Sequence, residues 1–456
     1  MIQSMTQGNP IKLIILFSIP IMLGQLFQQL YIISDMYILG HYLGRYALAV
    51  AGAMSPVFLM ALFIATGFTN GLCIITAQRF GANDIRGVRK SFGGGLILTI
   101  ICCLLVVSTI QLNMNWIMQK MNIPTDIQTD SVRFLTVMAY AMISMLFYNY
   151  FASLMRALGD SKTPLYFLIF ASVLNIIINI FLIAYLKMDV VGVAWGTGIA
   201  QTISVVLCGI WLLKKFPILK LYKKDFKLSA EFLMEHLRVA VPMSIQFSII
   251  GLGMIIIQSA CNRFGTDTIA AFSAAMRIEQ ITTLPIFALG MAMSTYAAQN
   301  FGACLIRRIR QGVFQCFLLI SALGAVMAII AFNWGPQMAF VFLNSDDPTV
   351  LEPAVTYLKI TTLFYFFLGL IFVFRQTLQG MGYPLLPLLS GIAELIMRGF
   401  CAFYMATTMG YVGLCYAGPI AWIGGAVIVV IGYIYIIRKY KVSLFGKMNQ
   451  KTRLKV

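Results

Sequence analysis

Charge, histidine and acid are all scarce in this chain. Only 11% of its 456 residues are charged, with two histidines and 15 Asp plus Glu, whereas an ordinary soluble domain carries about a quarter charged residues. No polar block is long enough to be a soluble domain. His41 and His236 stand far apart, and the nine cysteines form no C-x-x-C pair or Cys/His cluster, so a zinc or redox centre finds little support. Cys102, Cys103, Cys208, Cys316, Cys401 and Cys415 fall inside apolar runs and read as small buried residues. A phosphate-binding loop is missing as well. The run Gly93, Gly94, Gly95 lacks the G-K-[ST] ending and sits in an apolar stretch, where glycine permits close helix packing. These absences speak against an enzyme and against any cofactor. Uphill work by such a chain would draw on an ion gradient or on another subunit.

What is present is hydrocarbon. The chain is 60% apolar with a mean hydropathy of +0.88, and apolar segments of about 20 residues or more recur from end to end, each the length of a membrane-spanning helix. An all-α, multi-pass membrane protein is expected, with about twelve spans near 11–38, 46–75, 91–113, 128–154, 163–186, 191–213, 236–261, 268–297, 312–332, 351–378, 385–408 and 412–437. The first is too long for a signal peptide and lacks a small-residue cleavage site, so it is expected to stay in the mature protein.

The net charge of +18 invites a nucleic-acid partner, which its distribution argues against. Basic clusters fall after the second span (Arg79, Arg86, Arg89, Lys90), the sixth (Lys214, Lys215, Lys220, Lys223, Lys224, Lys227), the eighth (Arg307, Arg308, Arg310) and the twelfth (Arg438, Lys439, Lys441, Lys447, Lys451, Arg453, Lys455). Loops after odd-numbered spans hold few, such as Arg45, Lys120, Lys187 and Arg263. By the positive-inside rule, both termini and the even loops are cytoplasmic, as in a bacterial inner membrane, and attraction to anionic lipid accounts for the rest.

An internal repeat organises the chain. "AQRFGANDIR" at 77 returns as "AQNFGACLIR" at 298, 221 residues on (298 − 77). "LGRYALAVAGA" from Leu43 is echoed by "FGTDTIAAFSA" from Phe264, "MRALGDSKTP" at 155 by "LQGMGYPLLP" at 378, and "VVGVAWG" at 190 by "YVGLCYA" at 411. A six-helix unit is thus written twice. The expected organisation is an N-terminal lobe over 1–213, a cytoplasmic linker over 214–235, a C-terminal lobe over 236–437 and a basic tail over 438–456. Copies with an even number of spans share one orientation, and transporters commonly rock two such halves about a central cavity.

The residues "GNPIKLIILFSIPIMLGQLFQQLYIISDMYILG" at 8–40, "AQRFGA" at 77, "RALGDSKTP" at 156, "LNIIIN" at 174, "RIEQ" at 277, "AQNFGA" at 298 and "AELIMR" at 393 resemble those of the multidrug and toxic compound extrusion (MATE) family. Within it they look like the DNA-damage-inducible-F-like (DinF-like) branch rather than the sodium-coupled one. The resemblance implies the MATE-like fold of the MOP superfamily, a monomer in the bilayer, and antiport: a cation enters and a small amphipathic, often cationic, organic compound leaves.

Asp35 is the residue on which that chemistry would turn. It lies in "LYIISDMYILG", with no Lys or Arg between Lys12 and Arg45, and a charge at mid-membrane costs roughly 2.5–3.5 kcal/mol on insertion scales. An unpaired acid there takes up a proton or coordinates a metal cation such as sodium, since burial disfavours its bare charged form. A protonated carboxyl that merely hydrogen-bonds between helices is the bland alternative. Asn175 and Asn179 share a helix face, and Thr197 lies on the next helix. The resemblance implies that these positions form the cation site together with Asp35, and that relatives commonly carry Asp where Asn179 stands. The missing second acid weakens a sodium site and favours proton coupling. Ordinary interhelical hydrogen bonding would serve equally well for the two asparagines.

The second half differs in its charges. Asp35 aligns with Ile257 (35 + 222), so the acid belongs to one half only. Glu394 and Arg398 are placed to pair along one helix, and Glu279 and Arg375 could pair from separate helices, with Arg277 nearby in sequence. Gln28, Tyr31, Tyr148, Gln246 and Gln280 are candidate cavity contacts, and Pro20 should kink the first helix. Two other readings stay open. A lipid-linked saccharide flippase of the same superfamily would want a cationic cavity, for which Arg277, Arg375 and Arg398 are available. A channel or purely structural membrane protein would need no acid confined to one repeat.

Overall fold

A computed structural model describes residues 4–344 and 347–453, with no side-chain description for Lys224 or for residues from 441 onward. Lys441, Lys447, Lys451, Arg453 and Lys455 of the basic tail therefore lie outside the described residues or side chains. The first half runs α1 Pro10–Ile38, α2 Gly44–Gly81, α3 Ile85–Leu112, the short α4 Met114–Lys120, α5 Thr125–Ala157, α6 Lys162–Ile180 and α7 Val191–Lys215. The second runs α8 Ala230–Cys261, α9 Thr266–Gly302, α10 Ile306–Leu343, α11 Pro348–Leu363, α12 Tyr365–Gly380, α13 Leu385–Phe400, α14 Ala406–Thr408, α15 Gly410–Cys415 and α16 Ala417–Arg453. Wide-turn π-helical segments extend α1, α6 and α13 at Leu39–Leu43, Phe181–Tyr185 and Cys401–Met405.

Among the described residues, ten helical runs are long and apolar enough to cross a membrane, and the pair α11 and α12, bent by 51°, makes an eleventh. One of the ten is the 72-residue stretch Pro10–Gly81. At 1.5 Å per residue it would be about 108 Å long, more than three times the hydrocarbon core. Gly44, with φ +75°, breaks it where α1 ends and α2 begins. Counting that stretch as two gives twelve spans (10 + 1 + 1), the number that the apolar pattern indicates.

The backbone repeats as the sequence does. Apart from Gly8, the positive-φ residues among those described occur in pairs 221–223 residues apart: Gly44 and Gly265, Asn83 and Cys304, Asn122 and Asn344, Gly159 and Gly382, Lys187 and Gly410. Each pair marks the same turn between helices, and a side chain tolerates that conformation only where the surrounding helices hold it. The chain packs as two compact units, Met1–Ser4 with Ile19–Ser248, and Met5–Ser18 with Ile249–Val456. Both α1 and α8 thus change unit partway, α1 beside Pro20 and α8 six residues after Pro242.

The motifs that mark the repeat tie together the basic ends of the helices. In unit 1, Arg79 pairs with Glu235 at 2.6 Å and donates to Ser91 Oγ at 3.0 Å. Cβ-free Gly67 and Gly71 let α2 approach the α8 backbone so closely that a methyl on either would overlap Met243 or Ala240. In unit 2, the buried Met5 donates its N–H to Gln299 Oε1 at 2.8 Å, and its carbonyl accepts from Asn300 Nδ2 at 3.0 Å. Arg308 Nη2 donates to the Gly8 carbonyl at 3.0 Å. "RALGDSKTP" is a capped turn. Asp160 accepts from the backbone N–H groups of Lys162 and Thr163, at 3.2 and 3.1 Å, and from Lys215 Nζ at 2.7 Å.

Burial alone pushes the Asp160 carboxyl up, but the Lys215 and Thr163 donors outweigh it and hold the group below its ordinary 3.8. A carboxyl depressed by folding contributes stability that is fully present above its unfolded value and is lost as the pH falls through the folded one. Asp160→Asn is therefore expected to cost about 1–2 kcal/mol near neutral pH. That deficit should vanish as the pH falls well below 3.8, which thermal melts of both proteins between pH 7 and about 2.5 would read out.

Candidate functional site

Asp35 lies one turn from the end of α1, partly buried, and faces α6. Its partner is an amide. Asn179 Nδ2 donates to Asp35 Oδ1 at 2.8 Å and also to Asn175 Oδ1 at 3.2 Å. Asn175 Nδ2 in turn donates to Thr197 Oγ1 of α7 at 3.3 Å, and Tyr31 OH, one turn before Asp35, donates to the same oxygen at 3.2 Å. Four residues of spacing on α1 and on α6 put each pair on one helix face, and the chain of bonds closes from carboxylate to hydroxyl within unit 1.

Tyr31 and Asp35 are half-buried, the rest of the cluster is buried, and apart from Asp35 it is uncharged. Asn175 and Asn179 are fully buried and Thr197 is 3% exposed. No Lys or Arg lies within salt-bridge distance of Asp35 among the described residues; its one hydrogen-bond donor there is Asn179. The Asn179 Oδ1 oxygen has no hydrogen-bond partner and points at Gly196 of α7. A methyl on Gly196 would overlap that oxygen, so a larger residue there has to displace the Asn179 amide. Nothing in the sequence singles out Gly196; its role follows only from how closely α7 approaches α6.

The second half is organised as a charge network inside unit 2. Arg375 of α12 is paired with Glu394 of α13, and its Nη2 also donates to Ser390 Oγ at 2.9 Å. Arg398 stands 3.8 Å from the other Glu394 oxygen, so the pair spaced along α13 forms, but at longer range than the one from α12. Glu279 corrects an expectation. It does not pair with Arg375; it accepts from Tyr357 OH of α11, with Arg398 close enough to act on it electrostatically. Glu394 is thus shared by two arginines, whereas Glu279 takes its hydrogen bond from a neutral hydroxyl. Arg277 is exposed and pairs with no carboxylate among the described residues. Ile257, at the position matching Asp35, packs against the second half's apolar cluster. Tyr357 was not legible as a partner, since it lies 78 residues from Glu279; Ser390, four residues before Glu394, carried a helical spacing that could have found it.

The remaining candidates separate. Gln28 is half-buried, Gln280 is exposed and Gln246 is 2% exposed. Tyr148 OH is committed to the Pro164 carbonyl at 2.8 Å. That places it at the first turn of α6, eleven residues before Asn175 and roughly 16 Å along the helix.

Comparison with known proteins places this geometry in context. The family model described as MatE matches twice, over residues 20–181 and 242–403. The probable multidrug resistance protein YpnP of Bacillus subtilis is 28% identical over 381 residues, covering 83% of this chain and 84% of its own. The multidrug export protein MepA of Staphylococcus saprophyticus is 24% identical over 384 residues, covering 82% and 84%. Among solved structures, a MATE in the bent conformation superposes with a TM-score of 0.88 at 23% identity, over 96% of this chain and 98% of the other. A MOP superfamily transporter from Pyrococcus furiosus superposes at 0.85 and 24% identity with the same coverage.

Proposed function

Because this chain belongs to the MatE family, we propose that it is a multidrug efflux antiporter that exports small amphipathic, often cationic, organic compounds against the entry of a cation. The names of its relatives support export of varied compounds, and the basic loops support an orientation with both termini in the cytoplasm. The coupling ion in this reading is the proton. The observation that carries it is the single Asn179 to Asp35 hydrogen bond of 2.8 Å, made to a carboxylate whose other neighbours, Asn175, Thr197 and Tyr31, are all neutral. Sodium would meet one negative charge and would have to displace a donor from it. A proton meets neither obstacle.

The amide suits both states of such a site. With Asp35 ionised, Asn179 presents its NH2 group; with Asp35 protonated, a half-turn of the amide offers the Oδ1 oxygen, which has no partner now, to the new O–H donor. Proton occupancy would then be read by α6 and, through Asn175 and Thr197, by α7. In the second half, Glu394 is already paired with two arginines, which leaves Asp35 the carboxylate of the two that is free to take a proton. Transport of a fluorescent cationic dye into proteoliposomes, driven by an imposed pH gradient or an imposed sodium gradient, tests the reading. Drive by pH alone is expected, and drive by sodium alone would overturn the choice of ion.

Gly196→Ala perturbs the same site without touching a titratable group. The added methyl displaces the Asn179 amide from its seat, and the initial rate of pH-driven uptake is expected to fall about five- to thirty-fold, the effect of 1–2 kcal/mol on an equilibrium. Equal amounts of monodisperse protein in both preparations make that comparison valid.

A further inference from the structure

Two surface grooves, one in each unit, are lined by none of the residues assigned to the transport chemistry. The first is a cavity of about 630 Å³ in unit 1, walled by Leu96, Phe151, Gly209 and Leu213 and flanked by Lys214 and Lys220. The second, of about 550 Å³ in unit 2, is walled by Phe317, Phe374, Val430 and Ile434 and flanked by Arg307 and Arg310. They are the same place written twice. Leu96 and Phe317, Gly209 and Val430, and Leu213 and Ile434 are each 221 residues apart, and Phe151 and Phe374 are 223 apart, the offsets of the surrounding repeat motifs. We propose that each groove binds one anionic phospholipid, its acyl chain along the aromatic and aliphatic wall and its phosphate between the two flanking cations.

Charge complementarity argues for this occupant. Three neighbouring cations are committed elsewhere: Lys215 to Asp160 at 2.7 Å, Arg89 to Asp225 at 4.0 Å, and Arg308 to Asn300 and the Gly8 carbonyl. Lys214, Lys220, Arg307 and Arg310 are exposed and have no ion pair among the described residues. Topology alone would place basic residues in these loops, but it would not set two of them at the mouth of an apolar groove. Basic pockets between membrane helices are where anionic headgroups bind, and both volumes fall within the usual range of about 300–1,000 Å³ for ligand pockets.

The identity of the charged residues points the same way. Arg86 and Arg89 match Arg307 and Arg310, yet neither lines the first groove: Arg89 stands 4.0 Å from Asp225, and the groove takes its charge from Lys214, where the second half has Tyr435, and from Lys220. Two cations stand at each mouth although the residues that supply them have changed.

Native mass spectrometry of the full-length protein, titrated with dioleoyl phosphatidylglycerol or with dioleoyl phosphatidylcholine, tests the proposal. Wild type is expected to hold two phosphatidylglycerols at concentrations where the zwitterionic lipid with the same chains binds at least tenfold less. Lys214→Gln with Lys220→Gln should leave one, Arg307→Gln with Arg310→Gln should leave one, and the quadruple variant none. Gly209→Leu keeps every charge and fills the first groove against the Phe151 ring, which a Cβ would already meet at 3.3 Å; it too should leave one. Unchanged occupancy in the quadruple variant, equal binding of both lipids, or dimers of the chain in place of bound lipid would overturn the assignment.

Discussion

In proteoliposomes, Asp35→Asn is expected to reduce pH-driven export to the rate of protein-free vesicles. The substitution is nearly isosteric, and the introduced amide could still accept, through its own oxygen, the hydrogen bond that Asn179 Nδ2 now gives to Asp35 Oδ1 at 2.8 Å. Helix packing and substrate affinity should therefore survive, and only the ability to exchange a proton is lost. That separation makes the experiment informative. A folded variant that still binds dye but no longer responds to the imposed gradient is the expected outcome, and a variant with wild-type pH-driven uptake would end the assignment of Asp35. A fold collapse is excluded by comparing detergent melting profiles, which should agree within about 1 kcal/mol, since no buried partner loses its only donor.

The second large effect is on stability and lies in the other half. Glu394→Ala removes the carboxylate that Arg375 and Arg398 share, while both arginines stay in place, Arg375 at 5% exposure. Breaking a buried pair from one side typically costs about 3–5 kcal/mol, because the remaining charge loses its partner without regaining water. The folded yield should drop sharply, with a melting transition lowered by many degrees. Removing both charges is gentler. Arg375→Met combined with Glu394→Gln should recover more than half of the loss, as apolar replacement of a whole pair is often close to neutral. If the double variant is no more stable than Glu394→Ala, Arg375 was not the stranded charge. Dye binding by the recovered double variant would further show whether this arginine contributes to substrate affinity or only to the fold.

The contrast between these two substitutions reflects how the duplicated scaffold has diverged. Asn175 on α6 stands where α13 carries Arg398 (175 + 223), and Asp35 on α1 stands where α8 carries Ile257. At these positions one half carries a single acid beside neutral amides; the other has gathered two arginines around one glutamate. A carboxylate held by two arginines resists protonation, whereas a solitary one in a neutral setting takes up a proton more readily.

Sequence by itself determined the class, the number of spans and the duplication, because each rests on a local or periodic property. A bilayer admits helices of about 20 apolar residues, and a repeat written twice returns its turns at the same spacing, down to the left-handed backbone at Asn83 and Cys304. It also pointed to Asp35, since a lone acid in hydrocarbon is conspicuous from composition alone. Partners were another matter. That Asn179 reaches Asp35 across 144 residues, that Glu279 takes Tyr357 and not Arg375, and that Gly196 shapes the amide's seat were decided by how the helices pack. Helical spacing fixes which side chains share a face; which face meets which is settled only when close approach of the helices, set by small residues and buried hydrogen bonds, selects one packing.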